Sequence, residues 1–231
     1  MNKKNLVIIH GWGVKKDQWH EALKYLDDFH ILLLDIPGFD FKLERPFSFD
    51  DYLNYLESQI KIDDQFYLLG HSFGGALAML YALKHPEKIK KLILYNAAII
   101  RDKNLKRKIS LALSKILKFL EKIFPEKLLY LPKKAYYKFI IKSYDYLMAD
   151  ENLKKTFINI VNTDLKDLPK NLRVETILLW GKYDKITPLK KAYILNELIP
   201  NSKLIVLKGG HNLHVKNVKE FTQTLKEILS C

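Results

Sequence analysis

Ser72 stands among glycines in Gly70-His71-Ser72-Phe73-Gly74-Gly75, between the apolar run at 65–69 and a helix-like stretch at 76–85. A serine hydroxyl is a weak nucleophile in water. It becomes effective when a neighbouring base takes its proton and a third group orients that base. The glycines permit a sharp turn and close backbone approach. A helix beginning at the serine adds unpaired N–H groups that favour a developing oxyanion. This arrangement suits attack on a carbonyl carbon.

The base must come from the few histidines that follow. His85 directly precedes Pro86 and reads as the end of a helix. His211 lies in Leu-Lys-Gly-Gly-His-Asn-Leu-His (207–214), after the last apolar run, with His214 as the alternative. His211 is preferred because it follows two glycines at a strand end, whereas His214 falls where the last helix begins. For the orienting acid, Asp184 follows Trp180 in Leu-Leu-Trp-Gly-Lys-Tyr-Asp-Lys-Ile-Thr-Pro (178–188). Asp164 and Asp167 are competitors, and Asn96 fills the other place after a strand where such an acid is found. An oxyanion hole needs two backbone donors. The amide of Phe73 is one, and Trp12, in His10-Gly11-Trp12-Gly13, supplies the other.

These residues need a scaffold. Six short apolar runs, at 5–10, 30–35, 65–70, 91–96, 175–180 and 202–207, read as strands covered on both faces. Helix candidates span Lys16–Asp28, Phe49–Ile62, Phe73–His85, Leu189–Ile199 and Val215–Leu229. Ser48, with Asp51 three residues later, caps the second of these. Strand–helix alternation predicts an α/β fold with a mostly parallel sheet of about six strands and flanking helices. The alternation stops after Asn96. Residues 101–168 carry helical periodicity: Ile109, Leu113, Ile116, Leu117, Leu120 and Phe124 share one face, and Lys115, Lys118 and Lys122 the other. The expected organisation is a core of 1–100 and 169–231 with a helical cap, or lid, inserted at 101–168.

In this order the motifs resemble those of the α/β-hydrolase superfamily. His-Gly-Trp-Gly (10–13) is similar to its oxyanion motif, Leu-Asp-Ile-Pro-Gly-Phe (34–39) to the turn after its second core strand, and Gly-His-Ser-Phe-Gly-Gly to its nucleophile elbow. The stretches 178–188 and 209–215 resemble its acid turn and histidine loop. The resemblance implies Ser72, Asp184 and His211 as a catalytic triad, with the Trp12 and Phe73 amides as oxyanion donors and 101–168 as the cap. It implies a serine esterase that needs no metal or organic cofactor. The family's usual first two antiparallel strands are expected to be missing, since the first strand begins near Asn5. Asp40-Phe41-Lys42 departs from the family's pattern after the second strand. Ser72 argues against the related dehalogenases and epoxide hydrolases, which use an aspartate nucleophile. The His-Gly-Trp-Gly stretch and the compact size resemble carboxylesterases that demethylate pimeloyl-carrier esters.

Other residues read as structural. Asp35 is expected to stabilise the turn at Pro37-Gly38, and His10 and His71 to make structural hydrogen bonds. Tyr136 or Tyr137 is expected to line the pocket.

With 231 residues, 48% hydrophobic and 12% aromatic, the chain can bury a sizeable core. Its single cysteine, Cys231, excludes an intrachain disulfide and a multi-cysteine zinc site. The start has no signal-like apolar segment, and no run is long enough to span a bilayer. A soluble, cytoplasmic protein is expected. Net charge is +13, and residues 101–142 hold thirteen Lys or Arg against Asp102, Glu121 and Glu126. This basic lid suits an ordinary solvated face, an acidic acyl-carrier protein or an anionic membrane. Nucleic acid is not expected, because no binding motif accompanies the charge. A lipase or thioesterase at a membrane, and a non-catalytic binding protein on the same fold, are the alternatives.

Overall fold

A computed structural model describes residues 3–101 and 149–230. The helices expected between 102 and 148, most of the basic segment, Tyr136 and Tyr137 lie outside the described residues.

Six strands form one parallel sheet: β1 (Lys4–Ile9), β2 (Phe29–Leu33), β3 (Phe66–His71), β4 (Ile89–Tyr95), β5 (Thr176–Gly181) and β6 (Ser202–Leu207). Their spatial order is β2-β1-β3-β4-β5-β6. All pairs are parallel, with Val7 opposite Leu32 and Leu68, and Leu178 opposite Leu94 and Leu204. Each expected strand is present within about two residues.

Alternation along the strands divides the core into two layers. Val7, Ile9, Leu68, Leu92, Leu94 and Trp180 point to one side. They pack there on α2 (Phe49–Gln59), α3 (Phe73–Lys84) and α5 (Leu189–Leu198). Leu6, Ile8, Tyr67, Leu69, Ile93 and Leu179 point to the other side and meet Trp19, Ala22, Phe221 and Leu225. Burying each large side chain stabilises the fold by roughly 1.5–3 kcal/mol before conformational entropy is counted. Helix α3 is apolar on all sides and buried along most of its length, because it lies against β3 and β4 as well as α2.

Two expected helices are broken. Residues 16–28 form a 3₁₀ turn (Lys16–Trp19), a short α1 (His20–Leu23) and further i→i+3 bonds at Tyr25 and Leu26. The last helix divides at Asn217 into α6 (Leu213–Lys216) and α7 (Val218–Ser230), and the Asn217 side chain bonds the Lys208 carbonyl. The Ser48–Asp51 capping box opens α2 as expected.

From the segment expected as a cap, 101–168, α4 (Glu151–Asn162) lies among the described residues. It rests on the loop after β2. Thr156 accepts from the Phe47 amide at 2.7 Å, and Asn152 donates to the Leu43 carbonyl at 2.9 Å. Among the described residues no helix is long and apolar enough to cross a membrane.

Candidate active site

A parallel sheet brings the carboxyl ends of its strands to one edge, and the loops that leave this edge are where ligands bind in open α/β sheets. Gly11–Gly13 leave β1 there, Ser72 leaves β3, Asn96 leaves β4, Asp184 follows β5 and His211 follows β6.

Ser72 sits between β3 and α3 with φ 53° and ψ −115°. A non-glycine residue is strained in this region, by about 1–3 kcal/mol. The strain is sustained by three backbone bonds: the Ser72 amide donates to the Tyr95 carbonyl at 3.0 Å, and its own carbonyl accepts from Gly75 and Ala98. The Ser72 hydroxyl makes no capping bond to its own helix. A Cβ on Gly74 would lie 2.2 Å from the Ile9 carbonyl oxygen, so only glycine lets α3 start this close to β1. A Cβ on Gly11 would lie 3.1 Å from the Ser72 Cβ, so the loop after β1 runs directly against the serine. The amide of Phe73, in the first turn of α3, has no partner within the helix.

Asp184 and His211 come together although 27 residues separate them, with His211 Nδ1 2.7 Å from Asp184 Oδ2. Both Asp184 oxygens are engaged. Oδ1 accepts from the amides of Ile186 (2.7 Å) and Thr187 (2.9 Å), and Oδ2 also lies 2.7 Å from the Thr187 hydroxyl. Burial pushes this carboxyl up, but the hydrogen bond and charge of His211, with the Thr187 bonds, outweigh it and hold the pKa below the usual value. Asp184 is therefore a carboxylate at neutral pH, and it holds the His211 ring with Nδ1–H toward the acid.

The competing residues lie elsewhere. His214 is fully buried, stacked on Trp19, with Nδ1 3.1 Å from the Tyr95 hydroxyl. Burial and the neighbouring His211 pull its pKa down to about 3. His85 ends α3 with Nε2 2.6 Å from Glu57. Asp164 and Asp167 are exposed beyond α4.

The loop after β2 differs from expectation. Asp35 is half-exposed and pairs with Lys16 at 2.7 Å. The acid that holds the turn is Asp40, whose Oδ2 accepts from the Ile36 amide at 2.6 Å and faces His10 Nε2 at 2.8 Å. His10 precedes Gly11, so Asp40 braces the loop that passes Ser72. Beside it an aromatic wall forms, with Trp12 edge-to-face on Phe39 (4.7 Å), Phe73 (5.3 Å) and Phe157 of α4 (5.2 Å). Sequence reading singled out neither Asp40, Phe39 nor Phe157 for these roles.

Similarity to known proteins accords with this geometry. The profile of the alpha/beta hydrolase fold family matches residues 4–128. The chain is 25% identical to a pimeloyl-[acyl-carrier protein] methyl ester esterase of Legionella pneumophila, over 97% of this chain and 94% of that protein. It is 23% identical to Lipase 1 of Psychrobacter immobilis, over 97% and 76% of the two chains. The structure of a hydrolase from Pseudomonas aeruginosa superimposes with a TM-score of 0.74 at 19% identity, covering 99% of this chain and 91% of that one. With the family's profile matched over more than half its length, and a parallel sheet carrying the strained serine turn, the chain belongs to the alpha/beta hydrolase fold family.

Proposed function

We propose that the protein is a serine hydrolase that cleaves a carboxylic ester or thioester through an acyl-enzyme, with Ser72 as nucleophile, His211 as base and Asp184 as orienting acid. The observation that carries this is the 2.7 Å Asp184–His211 pair, at the same sheet edge as a strained serine whose hydroxyl leaves its own helix uncapped. His211 Nε2 takes the Ser72 proton as Oγ bonds to the carbonyl carbon. The Trp12 and Phe73 amides receive the oxyanion, each worth about 10²–10³ in rate by comparison with other such donors. Collapse breaks the bond to the leaving alcohol or thiol, which takes the proton back from His211. Water, deprotonated by His211, then releases the acid and restores Ser72.

The aromatic wall of Trp12, Phe39, Phe73 and Phe157 favours a substrate with an apolar acyl or alcohol part. In this reading, residues 101–168 form a cap over the core. The thirteen basic residues of 101–142 favour an acidic bearer of the ester, such as an acyl-carrier protein, in keeping with the relative that acts on a pimeloyl-carrier ester. Hydrolysis of p-nitrophenyl esters of increasing acyl length, wild type beside Ser72→Ala, tests the reading. Serine-dependent turnover is expected. A folded wild type that neither turns over any ester nor reacts at Ser72 with a fluorophosphonate would make this a binding protein on a hydrolase fold.

A further inference from the structure

The His211 ring is held by Asp184, but its main chain follows Gly209 and Gly210, which offer no side chains to pack. The backbone is fixed instead from the ends of β3 and β4. The His211 carbonyl accepts from Asn96 Nδ2 at 2.7 Å and from His71 Nε2 at 3.1 Å. The Tyr95 hydroxyl lies 3.1 Å from the same carbonyl and accepts from two amides just beyond it, those of Leu213 at 2.5 Å and His214 at 3.3 Å. His71, Tyr95 and Asn96 are fully buried, so the contacts are shielded from water.

We propose that Asn96 and His71 are positioning residues for the hydrolase reaction, setting where His211 stands through its main-chain carbonyl. The inference rests on the serine-hydrolase reading above. Both residues touch two parts of the site at once. His71 directly precedes Ser72, so one residue joins the serine's turn to the carbonyl of His211. Asn96 Oδ1 accepts from the Gly181 amide at 2.9 Å, at the end of the strand that leads to Asp184. The Asn96 backbone carbonyl lies 3.0 Å from the Thr187 hydroxyl, which sits beside Asp184 Oδ2. One amide side chain therefore ties the acid's strand to the histidine loop.

Residue chemistry follows from this geometry. Asn96 Nδ2 faces the carbonyls of both His211 and Gly210, the latter at 3.3 Å. An aspartate there would set oxygen against two oxygens. Asn96 also has φ 44°, a region that asparagine tolerates better than most residues. His71 donates from Nε2 and keeps Nδ1 as a buried acceptor without a hydrogen-bond partner, which identifies one neutral tautomer. Burial, with His214 and His211 nearby, holds its pKa well below the usual histidine value.

The test is Asn96→Asp, an isosteric change that replaces the donor by an acceptor, with His71→Phe as a second variant that keeps a ring over Tyr95 and loses the donor. Each is compared with wild type and Ser72→Ala by thermal unfolding, by kcat and KM on a p-nitrophenyl ester, and by the rate constant of fluorophosphonate labelling. The expected result is a kcat and a labelling rate constant about ten- to a hundred-fold lower, with KM within about two-fold, because small misplacements of a reacting group cost rates of this order. A merely structural role lowers the labelled fraction or the melting temperature and leaves the rate constant of the folded molecules unchanged. That outcome, in whichever variant folds, overturns the proposal while the hydrolase reading stands. A wild type that Ser72 chemistry does not label removes both.

Discussion

The His214 ring lies on the Trp19 indole at a centroid distance of 4.2 Å and only 17° from parallel. Its Nε2 is buried without a hydrogen-bond partner, so a proton added there would have no acceptor. The folded pKa of about 3 lies below the unfolded value of about 6.5. Between these values the unfolded chain binds a proton that the folded chain refuses. Stability is therefore complete above pH 6.5 and falls as the pH drops toward 3. His71 acts in the same direction. Asp184, also depressed, contributes stability above its unfolded value that is lost only at lower pH. Urea unfolding at pH 7, 6, 5 and 4 is expected to show a decline that His214→Phe makes shallower by about one proton, roughly 1 kcal/mol per pH unit. Equal slopes in the two proteins would remove His214 from the acid response.

Backbone strain at Ser72 has a consequence that activity assays do not see. Glycine accepts a φ of 53° without cost, whereas alanine keeps the strain. Ser72→Gly is expected to unfold about 1 kcal/mol later than Ser72→Ala, after allowance for the extra freedom of glycine in the unfolded chain. Both are expected to be inactive. Denaturant midpoints of the two variants check this, and an equal or lower midpoint for the glycine variant would mean that the turn relaxes around residue 72.

At Gly74 an added side chain has the opposite effect. A methyl group 2.2 Å from the Ile9 carbonyl oxygen cannot be placed without moving α3 away from β1. Gly74→Ala is expected to destabilise the fold by about 1–3 kcal/mol. It should also shift the Phe73 amide, so the turnover of correctly folded protein falls too. A variant with wild-type melting and wild-type turnover would show that the helix start is freer than this contact implies.

The strands were legible in the sequence because burial on both faces leaves almost unbroken apolar runs, as in Leu6–Ile9 and Phe66–Leu69. The meeting of Asp184 with His211 was within reach for a related reason, since both follow strands whose carboxyl ends must share an edge. What escaped the sequence depends on side-chain direction between distant segments. Nothing in the order of residues shows that Asn96 and His71 reach one carbonyl, or that Asp40 rather than Asp35 holds the turn beside His10. The helix expected at 16–28 failed because helical periodicity does not distinguish i→i+4 from i→i+3 bonding when a buried Trp19 dominates the pattern.

Asp184→Asn separates charge and tautomer from shape. The asparagine oxygen can keep the Ile186 and Thr187 amides that Oδ1 now holds, so the turn should survive. The amide NH₂ would then face His211 Nδ1, where the carboxylate oxygen lies 2.7 Å away today. Two donors cannot face each other, so His211 would carry its proton on Nε2 and present no lone pair to Ser72. By analogy with the same change in other serine triads, kcat on a p-nitrophenyl ester is expected to fall about 10⁴-fold. KM should change little, because Asp184 is buried, whereas the melting temperature should fall modestly, since the carboxylate that the fold favours is lost while the backbone bonds remain. The loss should be smaller at high pH, where hydroxide can replace the missing base. Turnover within about tenfold of wild type at neutral pH would mean that Asp184 orients no catalytic base, and the assignment of the acid would pass to another residue.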